Sequence, residues 1–333
     1  MVLSVKAKKS LLFYRSLIFP ALCILFLPGR TAACDSTSVR DGAFGEPRSV
    51  HLLGVMARAG DPAGEKIYAN LDEWCKKNGQ SLNLELRRVD PDDPEIRWED
   101  YGIPSCPPSL PVTVLAGKGS LGRANFLIYH WEPGPSAQDL EILKTSPARE
   151  KIREEAVRRL AVLIHVPASE GDPSGAGDIL ARVARAWSAR EPMGVAVITV
   201  DRDDRNERLL LSFMGVKGQG LDWAAVVFGR GKMMVPLKGE EISEAALNGQ
   251  LETLAGRCTC LQSPSSLGVD IPLVWEPAHD LAVVPLRGAG VTQSATGGTK
   301  QIMFAALWTL GGIILLAGLA TVWLVRREKG HPL

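Results

Sequence analysis

The chain has 333 residues, 38 of them Lys or Arg and 37 Asp or Glu, for a formal net charge of +1. So even a balance argues against a general nucleic-acid surface. Short phrases recur in the same order 111 to 113 residues apart. They indicate a duplicated domain of about 110 residues, an ordinary domain size.

The N-terminus carries Lys6, Lys8, Lys9 and Arg15, then the apolar run 17–27, then the small residues Thr31 and Ala33. This pattern predicts a secretory signal over 1–33, cut before Cys34. The apolar run is short for an uncleaved membrane anchor. Ala32-Ala33-Cys34 also resembles a bacterial lipobox, with Thr31 where that motif prefers leucine. Residues 34–49 form an N-terminal segment.

The first repeat occupies 50–145 and opens on Val50–Leu53 and Val55–Met56 as a strand. A loop with Gly60-Asp61-Pro62 leads into a helix whose apolar stripe is Ile67, Leu71 and Cys75. Strand-like runs follow at 82–89, 112–115 and 126–129, the run 112–115 ending in Gly117-Lys118-Gly119, and a helix closes the unit. The β–α–β order calls for a parallel pair. Ser146 and Pro147 then read as the cap and first position of a helix. The mixed charges from Arg149 to Arg159 read as its solvated face.

The second repeat, within 146–284, repeats these signals. An apolar run at 160–166 precedes Gly171-Asp172-Pro173, the stripe Ile179, Val183 and Trp187, and strands at 195–200, 224–228 and 233–237. Val89-Asp90-Pro91-Asp92-Asp93 recurs as Val200-Asp201-Arg202-Asp203-Asp204. Tyr101-Gly102-Ile103 has a weaker echo in Met214-Gly215-Val216, and Gly117-Lys118-Gly119 returns as Gly229-Arg230-Gly231.

The order Val-Asp-x-Asp, Tyr101-Gly102-Ile103, Pro111 before a four-residue strand, then a glycine hairpin resembles thioredoxin. The resemblance implies an α/β fold of two tandem thioredoxin-like domains and a cis bond before Pro111. It also implies a Cys-x-x-Cys in the loop after the first strand, and neither Ala57–Gly64 nor Ala168–Gly175 contains a cysteine. Dithiol exchange needs a low-pKa thiolate there, so the chain reads as non-catalytic. No Gly-x-Ser-x-Gly, Walker loop, His-Glu-x-x-His or dinucleotide fingerprint is present, and no cofactor is implied.

Cys34, Cys258 and Cys260 are the remaining thiol cluster. Cys258-Thr259-Cys260 in an extended segment puts both sulfurs on one face. The preferred reading is a structural disulfide from Cys34 to one of the two; the alternative is a thiol site for a soft metal such as copper, or redox work. Cys75 reads as a buried core thiol. The helix length keeps it from Cys106. The acidic groups Asp90, Asp92, Asp93 and Asp201, Asp203, Asp204 read as capping aspartates rather than a cation or hydrolytic site. His165 reads as a packed or hydrogen-bonded residue.

Residues 285–301 are rich in Gly, Ser and Thr and read as a flexible tether. Residues 302–325 are uncharged and long enough to span a bilayer, with Arg326-Arg327-Glu328-Lys329 marking the inside face. The tail 326–333 is then cytoplasmic and the remainder extracytoplasmic. Cys34, Ser146–Ile152, Phe228–Lys232, Cys258-Thr259-Cys260 and Gly268-Val269-Asp270 together resemble a family of bacterial membrane-anchored proteins without assigned activity. The function this implies is a membrane-tethered module that binds a protein partner, such as an accessory of a membrane complex or transporter.

Overall fold

The structure, a computed structural model, describes residues 38–119, 124–168, 175–190, 194–218, 220–256 and 263–286. The expected signal at 1–33, the three cysteines Cys34, Cys258 and Cys260, and the apolar segment 302–325 lie outside the described residues. Among the described residues no helix is long and apolar enough to cross a membrane.

A short helix α1 (Val39–Gly45) comes first, capped by Ser38, which accepts the Asp41 N–H. The first repeat follows as β1 (His51–Met56), α2 (Pro62–Asn78), β2 (Leu84–Val89), a 3-10 turn (Trp98–Tyr101), β3 (Val112–Gly117), β4 (Phe126–Trp131) and α3 (Ala137–Lys144). Asp61 caps α2 by accepting the Ala63 N–H, and Pro62 sits where its missing N–H is no loss. The predicted stripe faces inward: Leu71 is buried, while Ile67 and Cys75 are half-buried. Strand order is β2-β1-β3-β4, with β1 and β2 parallel and the other pairs antiparallel.

Helix α4 (Pro147–Ala156) begins as predicted, with Ser146 as cap and Pro147 at its first position. The second repeat then runs β5 (Ala161–Val166), α5 (Ala176–Arg190), β6 (Val195–Thr199), a 3-10 turn (Arg205–Glu207), α6 (Arg208–Met214), β7 (Trp223–Phe228), β8 (Lys232–Met234), β9 (Leu237–Lys238) and α7 (Glu244–Ala255). The expected single strand at 233–237 is broken at Val235-Pro236, where proline has no N–H for a ladder. The core order β6-β5-β7-β8 copies the first repeat, and β10 (Gly268–Asp270) adds a further strand beside β8. Each repeat is therefore a β–α–β unit followed by a hairpin, the tandem thioredoxin-like arrangement.

The duplication reaches the backbone. Gly102 ends the 3-10 turn at φ 67° and Gly215 ends α6 at φ 77°, so both copies close with a left-handed glycine. The acidic loops also match. Asp90 accepts the Asp92 N–H at 3.1 Å, and Asp201 accepts the Asp203 N–H at 2.9 Å. Asp93 and Asp204 repeat the contact with the Glu95 and Asn206 N–H groups, each at 2.9 Å. These carboxylates act as turn and cap acceptors.

The repeats differ in what covers their sheets. Sheet two is covered on both faces. One face, with Leu163, Val226 and Phe228, packs on α5, α7 and α1. The other, with Val162, Ile164, Ala225 and Val227, packs on α4 and α6. Sheet one packs Leu53, Val55 and Leu115 against α2 and α3. Its second face carries Met56, Val112 and Val114, and the covering there is the segment 96–103 with its one short turn. The 3-10 turn in place of α6 leaves repeat one thinner than repeat two.

The copies share one core. Helix α6 lies on β4, with the Phe213 ring edge-on to Phe126 at 5.4 Å and to His51 at 5.9 Å. Helix α1 packs with repeat two rather than with the strand that follows it, placing Val39 and Ala43 against α7 and β7 side chains. Arg149 is a correction. It does not lie on a solvated face but is fully buried, donating to the carbonyls of Leu143 at 3.0 Å and Pro272 at 2.9 Å. Those acceptors come from outside its own helix, which the charge pattern of α4 cannot show.

Candidate functional site

In each repeat the loop after the first strand meets the start of the third strand at one corner. In repeat one Met56 pairs with Val112, and the residue before Val112 is Pro111. The Leu110-Pro111 bond is cis, as expected, and so is Glu132-Pro133. The adjoining loop presents Arg58, Asp61 and Pro62, with Asp61 used as a helix cap.

In repeat two Val166 pairs with Trp223, so the residue at the corresponding corner is Asp222. Asp222 stands where Pro111 stands. Its Oδ1 lies 2.9 Å from His165 Nε2 and accepts the Ala168 N–H at 3.1 Å. Both residues are buried, at 8% and 4% exposure. His165 is thus hydrogen-bonded, as the sequence suggested. Its partner Asp222 was missed, although the 111-residue offset from Pro111 points to it. The pair is a buried hydrogen-bonded unit, with Thr199 the register neighbour of His165 on β6.

The described thiols are separate. Cys75 is half-buried in α2, and burial, then the Asp72 carboxylate, pushes its thiol up to about 11. Cys75 packs against the core as expected but is only partly buried. Cys106 is exposed, its Sγ 3.5 Å from the Pro107 carbonyl. It lines a cavity of about 250 Å³ with Ile103, Val112, Val114, Leu127 and His130. Cys34, Cys258 and Cys260 lie outside the described residues, but chain beside them meets. The Val39 N–H donates to the Gly256 carbonyl at 2.9 Å.

A polar cluster no sequence motif announced lies between the repeats. Lys232 Nζ and Asp270 Oδ2 pair at 3.0 Å, with side chains 3% and 2% exposed. Asp270 also accepts the Ser49 N–H at 2.7 Å, and its carbonyl takes His51 Nε2 at 2.6 Å. Arg48 donates to the Ser81 and Leu273 carbonyls and to Asn83 Oδ1. Burial pushes His51 down to about 4 and Arg48 down to about 10. The cluster fastens the strand β10 and the segment after it to the start of β1. Each side chain named has a partner from the other repeat or its own, while the buried Arg48 Nε has none among the described residues.

No protein-family model matches the chain, and no curated protein does. Solved structures match the chain at low identity and low TM-score. The alkylhydroperoxide reductase protein AhpF of Enterococcus faecalis, as a C503A mutant, is 14% identical, over 64% of this chain and 94% of that one, with a TM-score of 0.22. Human ERp44 in its zinc-bound form is 12% identical, over 67% of this chain and 60% of that one, at 0.23. The first two thioredoxin domains of Naumovozyma dairenensis Eps1p are 13% identical, over 61% and 88%, at 0.20. Scores of this size carry no argument; the thioredoxin-like reading rests on this chain's own strand order and corners.

Proposed function

We propose that the protein is a non-catalytic, membrane-tethered pair of thioredoxin-like repeats that binds a protein partner outside the cytoplasm, such as an accessory of a membrane complex or transporter. One observation carries this reading. Both corners of the duplicated fold lack the dithiol, with Asp61-Pro62 at one and a buried His165–Asp222 pair at the other. Tethering through 302–325 is supported by the uncharged run itself. The resemblance to membrane-anchored bacterial proteins belongs to this proposal. Crosslinking in native membranes tests it. A specific membrane or exported partner is expected, with no turnover of an insulin-type disulfide substrate; efficient disulfide exchange would overturn the reading.

A second reading concerns Cys34, Cys258 and Cys260. It is favoured by the Val39–Gly256 hydrogen bond, which leaves Cys34 five residues and Cys258 two residues from a point of contact. At about 3.5 Å per residue that separation is easily bridged. A structural disulfide from Cys34 is the preferred outcome, and a copper or redox site the alternative. Non-reducing peptide mapping together with metal analysis separates them. A cross-linked peptide supports the disulfide, stoichiometric copper supports the metal site, and an acylated Cys34 removes both.

A further inference from the structure

Strand β2 shows why one face of repeat one stays open. Along β6 the residues on the α4 side are Ala196 and Ile198, which pair beside Val162 and Ile164. The matching positions of β2 are Glu85 and Arg87, paired beside Leu52 and Gly54. Their side chains are 48% and 50% exposed and bridge to each other at 2.7 Å. A helix packed as α4 is packed would bury both charges, so the sequence keeps the β2 side of this face in water. Two recesses flank the Trp98–Tyr101 turn there. One is the cavity of about 250 Å³ lined by Cys106, Val114 and Leu127, and the other, of about 180 Å³, is lined by Leu52, Ala116 and Asp100.

The unpaired charge of this face is mainly acidic. Glu95, Glu99 and Glu132 are exposed and make no ion pair among the described residues, and Asp93 stands beside them. Arg97 is occupied by Asp100 at 2.9 Å and Arg87 by Glu85, while Lys118 borders the smaller recess. Resting on the partner-binding reading above, we propose that this open face of repeat one is the docking surface, and that its occupant is a cationic segment of the partner protein with an aliphatic side chain seated in the Cys106 cavity. The apolar cavity supplies the anchor and the acidic rim supplies orientation and rate of encounter. Repeat two, covered on both faces, then serves as the rigid mount.

Cys106 gives the test a direct readout. The full-length protein in detergent is mixed with a twelve-residue peptide of alternating Lys and Leu, and alkylation of Cys106 by N-ethylmaleimide is followed by mass mapping. Protection of at least tenfold is expected, weakening with added salt. The Lys–Ser and Glu–Leu versions of the peptide should protect little. Glu132→Lys and Glu99→Lys should each lower affinity for the Lys–Leu peptide about tenfold, and Glu154→Lys on α4 should leave it unchanged. Equal protection by the Glu–Leu peptide, or protection indifferent to both rim substitutions, would overturn the proposal. Photo-crosslinkers at Ser105 and at Arg185 in native membranes separate partner binding as such from the choice of face. A partner captured at Ser105 and not at Arg185 is the expected result. Capture at Arg185 alone leaves partner binding standing and sinks this face, and capture at neither sinks both.

Discussion

The Arg40 guanidinium, whose side chain has no exposed surface, donates to the Val284 carbonyl at 2.7 Å across 244 positions of sequence. It also donates to the carbonyls of Ala156, Val157 and Arg159, at 2.9, 3.0 and 3.0 Å. One side chain thus fastens α1, the end of α4 and the segment after α7. Arg40→Ala is expected to cost about 3–5 kcal/mol, because it strips a buried charged donor from several carbonyls at once. Arg40→Lys should recover little, since an ammonium lacks the planar fork. Urea unfolding curves measure both; a loss under about 1 kcal/mol would show that the network is dispensable.

His51 makes stability depend on pH. Burial lowers its folded pKa from 6.5 to about 4, against the opposing pull of the Asp270 carbonyl. As pH falls the unfolded chain takes up this proton first. The contribution is therefore complete above about pH 6.5 and is lost as pH falls toward 4. A shift of this size corresponds to about 3 kcal/mol. The slope of stability against pH between 6.5 and 4 should flatten in His51→Gln; an unchanged slope would assign it to other groups.

Two equivalent glycines should respond differently to alanine. Gly102 and Gly215 both hold positive φ, but a Cβ at 102 would meet the Leu127 nitrogen at 2.2 Å, whereas at 215 it meets nothing within 4 Å. Gly215→Ala should cost about 1 kcal/mol, the backbone penalty alone. Gly102→Ala adds a clash with β4 and should cost about 3 kcal/mol or more. Thermal melts of the two variants would contradict this if the losses were equal.

The described thiols should differ in reactivity. Cys75 is held up at about 11 by burial and Asp72, and Cys106 is exposed. Iodoacetamide at pH 8 should label Cys106 at least ten times faster than Cys75, with the difference vanishing in urea. Mass mapping over a time course reads this directly, and equal rates in the folded protein would contradict the burial of Cys75.

Much of the fold was legible because its signals are local. The stripe Ile67, Leu71, Cys75 announces α2 by its spacing, Ser146-Pro147 announces the start of α4, and the paired Asp loops announce matching turns. The corner at Pro111 was legible through the thioredoxin resemblance. Its counterpart Asp222 required setting the repeats side by side, and its bond to His165 spans 57 positions. The open face of repeat one was written in Glu85 and Arg87, yet alternation along a strand does not say which of its two faces has a helix above it.

By itself the sequence determined the duplication, most of the strands and helices within each copy though not α6, and the lack of paired thiols at both corners, since periodicity, caps and turns act over a few residues. The tertiary structure alone decided that α1 belongs with the second repeat and that Arg40 and Arg149 are interior. It also decided that Lys232, Asp270 and His51 lock the copies together. A charged side chain reads as solvated until carbonyls more than a hundred positions away are brought around it. Only the folded chain supplies those acceptors, and desolvation makes their presence decisive.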